Sequence, residues 1–82
     1  MEGTIYHTNS SNALYSLYIS DEIFLIFELM DFCKLSKGDI IKSNAHGLGD
    51  VLLFNASTGM PFEAHLDNIV KGESSAKKAC RL

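Results

Sequence analysis

The stretch LYSLYISDEIFLIFELM, Leu14 to Met30, decides how this chain folds. Two runs rich in Tyr, Ile, Phe and Leu flank one polar break, Ser20-Asp21-Glu22. β-Branched and aromatic side chains suit a pleated surface, and each run has the length of an ordinary strand. A single long apolar helix is the rival, but the break interrupts it, and Tyr, Phe and Ile are middling helix formers. The stretch therefore reads as a β-hairpin. On its first arm Tyr15, Leu17 and Ile19 share one face, opposite Leu14, Ser16, Tyr18 and Ser20. On the second, Ile23, Leu25, Phe27 and Leu29 face one way and Phe24, Ile26, Glu28 and Met30 the other. A strand with one wet face should be apolar on one side only. This arm is apolar on both, so Phe24, Ile26 and Met30 require cover from a partner, a ligand or the chain itself.

Upstream, Gly3 to Thr8 reads as a strand with Ile5 and His7 on one face and Tyr6 and Thr8 on the other, ended by the turn residues Asn9-Ser10-Ser11-Asn12. Downstream, Asp31-Phe32-Cys33-Lys34-Leu35 suggests one helical turn, capped by Asp31 and with Phe32 and Leu35 on one side. Strands are then expected at Ile40 to Ser43, Val51 to Asn55 and Pro61 to Leu66, the last with Phe62, Ala64 and Leu66 on one face. Asn44 to Asp50, NAHGLGD, and Ala56 to Gly59 read as the connections. Five to six short strands separated by regular turn signals predict an all-β fold, a small antiparallel barrel with one helical turn between its third and fourth strands. The barrel domain is expected to span residues 1–70. From Lys71 the hydrophobic period is lost, which predicts a basic, flexible tail over 71–82. Glu73 and Lys77, four apart, would permit a short helix there on contact with a partner.

The 82 residues, 46% hydrophobic and 21% charged, suit one ordered domain with a limited core, which an oligomer would help. The net charge of −3 hides an asymmetry: residues 1–70 carry nine acids against three bases, whereas Lys71, Lys77, Lys78 and Arg81 outnumber Glu73 in the tail. An acidic body is penalised as a nucleic-acid binder, since phosphate backbones are held by Lys and Arg. The polar N-terminus shows no signal peptide, the longest apolar run, Ile23 to Phe27, is far too short to span a bilayer, and two cysteines, Cys33 and Cys80, suit a reducing compartment. The expectation is a cytoplasmic protein without membrane contact. The sequons at Asn9 and Asn55 read as turn residues.

The order of strands and the expected helical turn is similar to an OB-fold, and more narrowly resembles a cold-shock domain; an SH3-like barrel is the alternative. Gly3-Thr4-Ile5 resembles that family's opening strand, Tyr15 and Tyr18 its first aromatic motif, and Phe24-Leu25-Ile26-Phe27 part of its second. The likeness covers residues 3 to 55. The family's first motif adds a Lys and two glycines that are absent here, and its second has a His where Ile26 stands. The resemblance implies a single-stranded nucleic-acid binder stacking bases on Tyr15, Tyr18, Phe24 and Phe27, with Lys71, Lys77, Lys78 and Arg81 lending cations.

Catalytic and metal chemistry find little purchase. His7, His46 and His65 form no HxxxH, CxxC or ExxH pair, so no metal or other cofactor is expected. Cys33, beside Phe32 and Leu35, reads as a small core residue, and Gly47-Leu48-Gly49 as a turn. The acids are scattered singly. The apolar second arm is the best functional lead, and predicts a non-enzymatic protein-binding module, a homodimer or a partner of another protein, held through Tyr18, Phe24, Ile26 and Met30. Burial of that face under the chain's own last strand or tail is the competing expectation. Nucleic-acid binding is the second functional reading. A small acidic inhibitor that imitates nucleic acid is the third.

Overall fold

The computed structural model describes residues 1–43 and 48–82. His46 and most of the expected 44–50 connection lie outside the described residues. Among the described residues six strands, β1 (Glu2–Asn9), β2 (Leu14–Ser20), β3 (Ile23–Leu29), β4 (Ile40–Lys42), β5 (Gly49–Asn55) and β6 (Met60–Lys71), precede one short helix, α1 (Glu73–Ala79). The strands close into an antiparallel barrel in the order β1-β2-β3-β6-β5-β4. Two three-stranded meanders are thus sealed by the β3–β6 and β1–β4 seams. Among the described residues, no helix is long and apolar enough to cross a membrane.

The hairpin forms as its residues require. Asp21 and Glu22 occupy its two-residue turn with φ of 49° and 61°, the doubly positive geometry that matches the twist of the flanking strands. The barrel interior is filled by Ile5, Tyr15, Leu17, Leu25, Phe27, Ile41, Leu53, Phe62 and Leu66. Phe27 is the hub, its ring 5.5 Å from Tyr15 and 6.0 Å from Phe62. Each such side chain contributes about 1.5–3 kcal/mol on leaving water. Gly3 sits where β1 meets β2 so closely that a Cβ would lie 2.7 Å from both Leu17 Cγ and the Tyr18 carbonyl oxygen.

Three expectations need correction. First, the β3–β4 connection has no helical turn. Asp31 Oδ1 accepts the N–H of the very next residue, Phe32, whose ring stands in solvent, while Leu35 turns into the core and plugs the barrel end. Reaching the core within a few residues keeps the segment irregular rather than coiled. Asp39 then fixes the entry to β4, accepting from Ser36 N–H and from Asn55 Nδ2.

Second, β1 does not alternate to its end. The register slips between Ile5, opposite Leu17, and His7, opposite Ser16. This bulge sends both Tyr6 and His7 to the outer surface, and the His7 N–H turns to Ser16 Oγ at 2.8 Å; on the opposite edge Ile5 N–H to the Asp39 carbonyl and Gly38 N–H to that of Ile5 carry the β1–β4 ladder onward.

Third, residues 71–82 are not a flexible tail. β6 continues past Leu66 through an irregularity at Asp67 and pairs along β3 to Lys71. Gly72, at φ 94°, then turns the chain so that α1 lies across β3 and β6. Ala76 and Cys80, fully buried, press on Phe24 and Ile26, with Leu14, Tyr18, Val70 and Ala79 around them. The small Ala and Cys side chains let the helix approach the sheet closely. Its end is tied down by Asn9 Nδ2, which donates to the Cys80 carbonyl at 2.7 Å.

Two stability measurements check this packing. Gly3→Ala should lower the free energy of unfolding by about 1–3 kcal/mol in a denaturant titration, because backbone faces the added methyl and cannot yield. Ala76→Asp should cost more than about 2 kcal/mol by placing a charge against Phe24 and Ile26, and should raise binding of an apolar dye. Unchanged stability in the second variant would contradict the helix's role as cover.

Candidate protein-contact surface

The residues expected to form an interface separate into two groups. Phe24 and Ile26 are 1% and 2% exposed under α1, and Tyr18 is half-buried with its ring edge-on to Phe24 at 5.3 Å. They belong to an intramolecular contact, because the chain itself covers the outer face of β3. Met30, beyond the end of β3, remains 55% exposed. The aromatic platform expected to stack bases is dismantled in the same way: Tyr15 and Phe27 point into the barrel and Phe24 lies under the helix. Lys71, Lys77, Lys78 and Arg81 are exposed, the last three along α1 and the chain just after it.

Beneath α1 lies a polar network that sequence reasoning missed. His7 Nδ1 is 2.7 Å from Ser16 Oγ, which also accepts the His7 backbone N–H at 2.8 Å. His7 Nε2 faces Glu73 Oε1 at 3.9 Å. A neutral imidazole protonated on Nε2 lets the Ser16 hydroxyl donate to Nδ1, while at 3.9 Å Nε2 stands beyond hydrogen-bond reach of the Glu73 carboxylate. Burial pushes the His7 pKa down, Glu73 opposes that, and Lys37 and Lys77 add to it. The order Ser-His-Glu resembles a hydrolase relay, yet Ser16 is wholly inaccessible beneath the helix, so no substrate atom can reach its oxygen.

His65 has the opposite surroundings. Exposed on β6, it lies 2.7 Å from Asp50 Oδ1 and 3.4 Å from Asp67 Oδ1. The Asp50 hydrogen bond, followed by the charges of Asp50, Asp67 and Glu28, raises its pKa. Cys33 and Cys80 are free thiols, both with pKa values raised chiefly by burial. Among the described residues, no group of three or more His, Cys, Asp or Glu side chains could hold a metal ion.

The surface that stays apolar and open is the outer side of β5. Alternation along this strand puts Val51 and Leu53 inward and Asp50, Leu52 and Phe54 outward. Leu52 is 66% exposed and Phe54 41%. Register places Phe54 between Lys42 of β4 and Pro61 of β6, and Leu52 beside Glu63 of β6. One shallow depression is lined by Lys42, Leu52, Phe54 and Pro61, and a second by Met30, Leu52 and Glu63. Leu52 is common to both, so Met30, Leu52, Phe54 and Pro61 form one continuous apolar patch with a charged rim. Its parity was legible in Asp50: a carboxylate bound for water puts Leu52 and Phe54 on the same side.

The two described histidines should titrate in opposite directions from 6.5. Nuclear magnetic resonance of the imidazoles should find His65 titrating above that value and His7 below it. The contribution of His65 to stability is then present in acid and lost as pH rises through its raised pKa. That of His7 is present above 6.5 and lost as pH falls through its lowered one. The reverse order would contradict the two environments. Compared with family models, with curated proteins and with solved structures, the chain matches none.

Proposed function

We propose that this protein is a non-enzymatic protein-binding module whose contact surface is the outer face of β5 with its neighbours Met30 and Pro61. The observation that carries the reading is the exposure of Leu52 and Phe54 side by side on a sheet whose other apolar outer face, on β3, the chain has covered with a helix. Isolated exposed apolar residues need no explanation, but a contiguous patch rimmed by Lys42, Glu63 and Asp50 has the make-up of an interface centre with its polar border. Met and aromatic side chains are enriched at such centres. Two free thiols fit a reducing compartment, and the cytosol is the location we propose.

Single-stranded nucleic acid is the second reading, in altered form. Tyr6 is exposed, its ring 6.3 Å from that of Tyr18, and a groove beside it holds Lys37 and Lys77. Glu73 lines the same groove, which weakens its pull on phosphate. The acidic-inhibitor reading has less support, because Asp50, Asp67 and Glu28 gather round His65 rather than forming a row at phosphate spacing.

The test compares capture from cell extract by the wild type and by Leu52→Asp and Phe54→Asp. Both sites point to solvent, so the circular dichroism spectrum should not change. A defined protein, or the chain itself, should be retained by the wild type and lost at least tenfold with either variant. The same proteins retained by all three would contradict the assignment of this face. Salt-sensitive retention of an oligonucleotide that Tyr6→Ala abolishes would favour the second reading.

A further inference from the structure

The geometry points to a second copy of this chain as the occupant of the β5 face, docked about a two-fold axis that pairs Lys42 of each copy with Glu63 of the other. The inference rests on the reading of that face as a contact surface and adds the identity and orientation of the partner.

The charges of the patch are self-complementary. Lys42 stands directly across from Phe54 on one side of β5, and Glu63 directly across from Leu52 on the other. With strands about 4.8 Å apart and successive outward residues about 6.8 Å apart, Lys42 and Glu63 are about 12 Å apart, and the line joining them passes between Leu52 and Phe54. One cation and one anion therefore sit diagonally across an apolar centre. A two-fold axis lying in the face, perpendicular to that line, exchanges the two positions. It sets Lys42 over the partner's Glu63 twice and stacks Leu52, Phe54 and Pro61 of both copies at the centre. The same spacings cross the two β5 strands at about 70°, near the orthogonal class of sheet packing.

Neither charged group is committed to a strong pair among the described residues. Among the described residues no cation lies within ion-pair distance of the Glu63 carboxylate, and Lys42 has only an exposed contact with Glu2 at 3.8 Å. An exposed pair of that kind is weak and exchanges readily. Size also fits. A standard interface buries about 800 Å² per partner, roughly a sixth of the 4915 Å² this chain exposes, which one face of a six-stranded barrel can supply. A chain of this length gains from association because its own core is limited.

Reciprocal charge reversal tests the geometry. Lys42→Glu alone puts two acids over each other at both ends of the dimer, and Glu63→Lys alone does the same with two cations. When the two variants are mixed, both contacts become opposite pairs again. Light scattering on the full chain at physiological salt should find a wild-type dimer, a dissociation constant raised at least tenfold for each single variant, and recovery of a dimer in the equimolar mixture. Lys78→Glu, on α1 and away from the patch, should dimerise as the wild type does. A wild type that stays monomeric up to about 0.5 mM would overturn the second copy as occupant, while Leu52- and Phe54-dependent capture of another protein would keep the face itself. Dimers that persist in both single variants, or a mixture that stays monomeric, would overturn the two-fold arrangement. A dimer indifferent to Leu52→Asp would overturn the second copy as the occupant of this face.

Discussion

The structure depends on one constraint: β3 is apolar on both faces, and both must leave water. Its inner face, Leu25, Phe27 and Leu29, is met by the barrel closing on itself. Its outer face, Phe24 and Ile26, cannot be met by any strand of the same sheet, and α1 supplies the cover. That need explains why β6 runs on to Lys71: only a strand paired along all of β3 delivers the chain to the far end, from which a helix can fold back over Phe24. The Gly72 N–H bonds to the Glu22 carbonyl at 2.7 Å and holds this reversal against the hairpin turn.

A helix laid on a sheet also buries whatever polar groups lie beneath it, and these need partners. The bulge at Tyr6 and His7 serves that end. It turns His7 outward onto Ser16 and toward Glu73 at the start of α1, while Asn9 bonds the Cys80 carbonyl at its end. Among the described residues no buried side-chain nitrogen or oxygen lacks a partner. A constellation that looks like a catalytic relay is thus accounted for as the seal between helix and barrel. With α1 committed to β3, no other helix among the described residues lies over β5, and its outward Leu52 and Phe54 stay in solvent.

The hairpin, the barrel class and the inward set Phe62, Ala64 and Leu66 were legible because each rests on local alternation over several residues. The need to cover Phe24 and Ile26 was equally legible, but its answer was not. α1 spans two turns and carries three basic or acidic side chains, so its apolar signal shrinks to Ala76 and Cys80, four apart, which propensity alone cannot separate from a tail. Bulges at Tyr6 and Asp67 shift alternation by one residue, and the shift is set by cross-strand pairing rather than by neighbours in sequence. In β5 the run Val51 to Phe54 is apolar throughout, so only the flanking Asp50 marks which side meets water.

The claim at the centre of this account is that the outer face of β3 is covered and that of β5 is open. A soluble nitroxide added to dilute protein labelled at the methyls of Ile26, Met30 and Leu52 tests it in one spectrum, because paramagnetic broadening follows solvent contact. The account predicts strong broadening of Leu52 and Met30, with Ile26 left sharp. Broadening of Ile26 as strong as that of Leu52 would contradict it.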